Sequence, residues 1–164
     1  MSQEVLTEEQ DGAQHLEAAR ALLNQSLMVT VTEEGQIVPI SEEDFEVAHA
    51  DIPFGRLRCW ILFSVGAEYL IKGVLMTNFG GYRRPKKKAG KYEYFDLDYA
   101  LNQIKVKGLT FGSKSNGKPI SRTLADIRNR DLHHFAKNKR QLDYSKVPDL
   151  AQALSALLQT VKSK

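Results

Sequence analysis

Cysteine is nearly missing from this chain: Cys59 is the only one in 164 residues. A lone cysteine builds neither a disulfide framework nor a thiolate metal cluster, so a cross-linked secreted scaffold is excluded and a reducing cytoplasm is the expected home. Flanked by Arg58 and Trp60, it reads as a small buried hydrophobe. Basic residues are missing from the first third. Met1 to Gly55 hold twelve acidic residues and one basic one, Arg20, a charge of −11. The opening residues are acidic rather than basic and apolar, so no secretory signal is expected. Long apolar runs are missing too: the longest, Trp60 to Met76, is interrupted by Ser64, Glu68 and Lys72, which predicts a buried bundle helix and no membrane span. Internal repeats and catalytic cysteine or serine motifs are absent, and Gly112 to Pro119 (GSKSNGKP) lacks the GxxxxGK[ST] order of an NTPase phosphate loop.

What is present is positive charge after Gly55. Arg56 to Lys164 hold twenty-two basic and eight acidic residues, a charge of +14 that suits a polyanion such as RNA. Tyr82 to Tyr94 concentrates it: Arg83, Arg84, Lys86, Lys87, Lys88 and Lys91 alternate with Tyr82, Tyr92 and Tyr94. Cations hold phosphates and aromatic rings stack on unpaired bases, so this loop is a candidate single-strand RNA contact.

Periodicity predicts one all-α domain, an antiparallel up-and-down bundle of four to five helices with a short β-hairpin near residues 28–40. Thr7 and Gln10 form a capping box ahead of a helix from about Glu8 to Gln25, whose first turns Gly12 weakens. Val29 and Val31, a turn at Glu34-Gly35, and Ile37-Val38 give the hairpin, with Pro39 confining its second strand to an edge. Ser41 opens a short acidic helix, where His49 reads as a surface side chain. A helix apolar over most of its circumference spans Phe54 to Asn78 and stops at Gly80-Gly81. Asp96 caps the next helix, which Gly108 closes, and Pro148 starts a last amphipathic one. The bundle core is expected at about 54–161, with 1–53 as an acidic helix-plus-hairpin extension that covers the basic cleft.

The chemistry collects in Ser121 to Lys137, SRTLADIRNRDLHHFAK, where Arg128, Asn129, Arg130, Asp131, His133 and His134 lie within seven residues. Imidazole moves protons near neutral pH and guanidinium grips phosphate oxygens. With Leu124 at zero on an ideal helix, Arg128 falls near about 40° and Asp131 near about 340°, on the apolar side, where they can pair with each other. Asn129 near about 140° and His133 near about 180° face away from the core, and His134 near about 280° sits at the boundary.

RNRDLH, Arg128 to His133, resembles the Arg-Asn-x-x-x-His motif of the HEPN family of small helical ribonuclease and nucleotide-binding domains. GAEYLIKGVL, Gly66 to Leu75, is similar to that family's first core helix, with Glu68 and Lys72 as its acid and lysine. An Arg-to-His spacing of four to six residues is expected about 0.7 times by chance, and requiring Asn after the Arg lowers this to about 0.01. The resemblance implies a metal-independent endoribonuclease without cofactor, in a toxin or phage-defence role, working as a homodimer with one motif from each protomer in a shared cleft. Arg128, Asn129 and His133 are then the catalytic residues, with His134, Glu68 and Asp131 second in rank. Arg130 joins the loop cations as an RNA contact. A cognate antitoxin is a further implied partner. Phe135 stands where some family toxins carry a tyrosine nucleotidylated by the antitoxin, so that control is excluded at this position. The alternative is a catalytically inactive HEPN dimer binding RNA, a nucleotide or a protein.

Overall fold

The computed structural model describes residues 7–82, 86–88, 91–93, 95–112, 114–115, 118–138 and 142–162. Helix α1 (Glu8–Gln25) starts at the predicted box: Thr7 Oγ1 accepts from the Gln10 amide at 3.1 Å and Gln10 Oε1 accepts from the Thr7 amide at 2.8 Å. Strands β1 (Val29–Val31) and β2 (Ile37–Pro39) pair antiparallel with Thr30 opposite Val38, and Gly35 supplies the positive φ of the turn. Helix α2 (Glu42–His49) follows its Ser41 cap, and α3 (Gly55–Asn78) is the long central helix. Two small hairpins, β3–β4 (Lys86–Lys88 and Lys91–Glu93) and β5–β6 (Lys114–Ser115 and Lys118–Pro119), flank α4 (Leu97–Val106). The two basic loops read from the sequence thus carry short antiparallel ladders. Then come α5 (Ile120–Asp126), a π turn (Ile127–Asp131), α6 (Phe135–Asn138), a 3₁₀ turn (Tyr144–Lys146) and α7 (Val147–Lys162). The fold is mainly helical, as the periodicity predicts.

The dominant packing is α1 against α3. Leu16 meets Gly73 and Leu22 and Leu23 meet Gly66, so the two helices run antiparallel. A Cβ on Gly73 would stand 2.9 Å from the Gly12 carbonyl oxygen, so the glycines let two backbones nearly touch. Gly12, expected to weaken α1, is therefore a packing residue. Ala19 and Leu23 of α1 lie in the same core as Trp60, Phe63 and Leu70 of α3. The acidic N-terminal part is no separate cover: its first helix supplies one wall of the core. Glu8 accepts from the Gly81 and Tyr82 amides, both at 2.6 Å, tying the α1 start to the α3 exit. Arg20 donates to the Thr32 carbonyl at 2.8 Å and holds the hairpin. The Tyr144 hydroxyl sits between the carbonyls of Met28 and Ile40 and ties the hairpin to the 3₁₀ turn.

Helix α3 alone among the described residues is long and apolar enough to cross a membrane, and 67% of its most apolar window is buried in the fold. It is the core helix of the bundle. Cys59 is buried as expected, and burial raises its thiol pKa. His49 is more enclosed than a surface side chain: its ring packs on Phe45 and stands 3.2 Å from Glu46.

Candidate active site

Ile120, Thr123, Leu124 and Ile127 are buried and anchor α5 in the core. The helix changes pitch at the motif. Leu132 N–H donates to the Ile127 carbonyl at 3.1 Å, an i to i+5 bond, and Arg128 to Asp131 lie inside that π turn. Local sequence carries no signal for this, because a π turn competes poorly with an α turn unless tertiary contacts hold it. The consequence is geometric. A π turn holds one residue more than an α turn and rotates the residues beyond it back by about 100°. The offset of about 140° that an ideal helix sets between Arg128 and His133 therefore does not hold, and His133 lies in the turn between the π turn and α6.

Arg128 does not pair with Asp131 as the helical angles suggested. Its Nε stands 3.8 Å from Glu68 Oε1 on α3, and Glu68 Oε2 accepts from Lys72 Nζ at 3.2 Å. At 3.8 Å the Arg128 contact is an ion pair without a hydrogen bond, and its buried Nε has no hydrogen-bond partner. Glu68 and Lys72 are mostly enclosed and Arg128 is 34% exposed, so this three-charge cluster is partly shielded from water. Lys72 Nζ also stands 5.5 Å from the centre of the Phe95 ring.

Asp131 is 1% exposed and takes Arg130 instead, whose Nε donates to Oδ1 at 2.9 Å. Its Oδ2 is buried with no hydrogen bond. Arg130 and Asp131, neighbours in sequence, thus pair with each other, and Arg128 faces Glu68. Arg130 also approaches Asp126 at 3.8 Å, and Asp126 gathers Lys118 and Arg122 as well. The Asp131 hydrogen bond and charge raise the Arg130 pKa. Burial lowers that of Lys146, with Asp131 pulling the other way.

Asn129 is exposed, and its Nδ2 donates to Asp98 Oδ1 at 3.1 Å, linking the motif to the first turn of α4. His133 and His134 both present exposed rings. The structure therefore joins Arg128 with Glu68, Asn129 with Asp98 and Arg130 with Asp131. Asp98 and Asp126 have no motif to announce them, since only the fold brings them to the site. Among the described residues no three His, Cys, Asp or Glu side chains gather as a metal site.

Of the candidate RNA contacts, Arg83 and Arg84 and the side chains of Lys86, Lys87, Lys88, Lys91 and Tyr92 lie outside the described residues. Tyr82, read with them as a stacking ring, is internal: it is 5% exposed, stacks on Phe95 at 4.9 Å and donates its hydroxyl to Gln103 at 3.0 Å. Burial raises its pKa, followed by the charges of Tyr99 and Glu8. No family model, curated protein or solved structure compared with the chain matches it.

Proposed function

We propose that this chain is a metal-independent endoribonuclease of HEPN type, acting in the cytoplasm in a toxin or phage-defence role with its site shared across a homodimer. The observation that carries the reading is the π turn at Ile127–Asp131, which breaks the helical spacing of the motif, with a partly exposed Arg128 beside the Glu68–Lys72 pair and an exposed His133 in the turn beyond. RNA supplies its own nucleophile. His133 takes the proton of the 2′-hydroxyl, the 2′-oxygen bonds to phosphorus, the P–O5′ bond breaks, and the leaving 5′-oxygen takes a proton from the second motif's histidine. Arg128 stabilises the charge on the phosphoryl oxygens, and Asn129, braced by Asp98, orients the phosphate. The products are a 2′,3′-cyclic phosphate and a 5′-hydroxyl; DNA, lacking the 2′-hydroxyl, is left intact.

The Glu68 carboxylate favours a second reading, a catalytically silent dimer that binds RNA, a nucleotide or a protein, because it already compensates part of the Arg128 charge. Incubation with labelled single-stranded RNA in excess EDTA separates the two. Cyclic-phosphate ends that disappear in Arg128→Ala and His133→Ala support the nuclease; binding without cleavage by the wild-type chain supports the module and rejects the nuclease.

A further inference from the structure

Tyr82, a loop ring by sequence, lies inside the fold and supports two other rings beside the motif. It stacks on Phe95 with ring centres 4.9 Å apart and planes 18° apart. Tyr99, in the first turn of α4, stands crosswise to both, 6.2 Å from Phe95 at 84° and 6.3 Å from Tyr82 at 67°. Contact with two stacked rings fixes the Tyr99 ring before any ligand arrives, so ordering it adds little to the cost of binding. The backbone beneath is fixed as well, since Tyr99 N–H donates to the Asp96 cap at 2.8 Å. Tyr99 is nevertheless half-exposed, whereas Tyr82 is buried.

Two contacts carry this cluster to the Arg128 site. Asp98, the residue before Tyr99, accepts from Asn129 at 3.1 Å. Phe95 stands 5.5 Å from Lys72 Nζ, whose carboxylate partner Glu68 faces Arg128. We propose that Tyr99 is the stacking platform for an unpaired nucleobase of a single-stranded RNA whose phosphate lies on Arg128. This rests on RNA being the ligand, as proposed above.

Charge sorts the two halves of the nucleotide. Arg128 and Lys72 outnumber Glu68 and suit a phosphate. Asp96 and Asp98, both exposed and within three residues of Tyr99, repel one. A neutral base meets no such penalty there, and every base offers a π face to a tyrosine ring. Phe95 is the lesser candidate, because Tyr82 stacks on it and Lys72 stands over it.

The full chain is titrated with a 2′-O-methyl RNA strand, which lacks the nucleophile and stays intact, and with an abasic strand of equal length and charge. Wild type should bind the base-bearing strand about tenfold more tightly. Tyr99→Leu should lose that preference and keep its affinity for the abasic strand, while Tyr99→Phe should keep both. Tyr99→Trp reads the contact directly and does not depend on the leucine variant folding. Its emission should be quenched by the base-bearing strand and not by the abasic one, over a constant signal from buried Trp60. Equal wild-type affinity for the two strands, a preference that survives Tyr99→Leu, or Tyr99→Trp emission that the base-bearing strand leaves unchanged each overturns the platform. A chain that passes these tests yet cleaves no RNA in excess EDTA rejects the nuclease reading and leaves the stacking site standing. Cleavage by a chain without base preference does the reverse.

Discussion

The two sides of helix α3 solve opposite problems with the same stretch of chain. Toward α1, Gly66 and Gly73 let the helices close until backbone meets backbone, with Leu16, Leu22 and Leu23 packed on the glycines. Away from α1, the helix keeps a mixed stripe of aromatic, aliphatic and charged residues that the fold leaves partly open. Close packing makes the first side intolerant of added volume. The second holds Glu68 and Lys72 beside a partly exposed Arg128, where charges keep some contact with water. Close packing and the charge cluster are thus separated around one helix.

That separation can be broken from either side. If the proposed nuclease activity holds, the largest effect is expected on the open side, where Arg128→Ala should lower RNA cleavage by about 10²–10³-fold, the loss typical of one oxyanion-stabilising donor, with an unchanged thermal midpoint. A midpoint that falls with the activity would make Arg128 structural. On the closed side, Gly73→Val drives a branched side chain into Leu16 and the Gly12 carbonyl, and urea unfolding should show a loss of about 3 kcal/mol. A near-neutral result there would mean that α1 can move away, and the contrast between the faces would lapse.

The hairpin tie gives a smaller, pH-dependent effect. Burial, then Glu42 and Asp44, push the Tyr144 pKa up from 10.0 to about 12. The folded state therefore holds a proton that the unfolded chain has released, so the stability from Tyr144 is full below pH 10.0 and lost as pH rises to about 12. Tyr144→Phe should flatten the alkaline limb of a stability–pH curve without abolishing it, because the raised Tyr82 acts in the same direction. At neutral pH the same change removes the hydroxyl's hydrogen bond to the hairpin and should cost about 1 kcal/mol. The smallest effect sharpens the comparison most: Ile61→Ala should shift monomer-fold stability by no more than about 0.5 kcal/mol, as a half-exposed residue should.

What could be read from the sequence was what neighbours in the chain decide for themselves. The Thr7–Gln10 box, the Glu34-Gly35 turn, the Ser41 and Asp96 caps and the Gly80-Gly81 stop each satisfy backbone groups within a few residues, so residue type alone announced them. Phe54 to Asn78 was legible as a core helix because its apolar residues nearly encircle it. The glycines at 66 and 73, one heptad apart, were the available sign of close packing, but α1 as the neighbour was not encoded locally. Tyr82 was misplaced among the loop rings because its partners, Phe95 and Gln103, lie beyond the basic stretch.

The motif divides in the same way. Chain order alone sets which groups are available: Arg128, Asn129 and His133, at one spacing on a helical segment. Their partners come from packing between distant segments. The choice of Glu68 over Asp131 as the partner of Arg128, and of Asp98 for Asn129, depends on α3 and α4 arriving beside the segment. A π turn gives up ideal pitch, which isolated sequence would not do. The buried flank from Ile120 to Ile127 on one side and the Arg130–Asp131 contact on the other hold it in place.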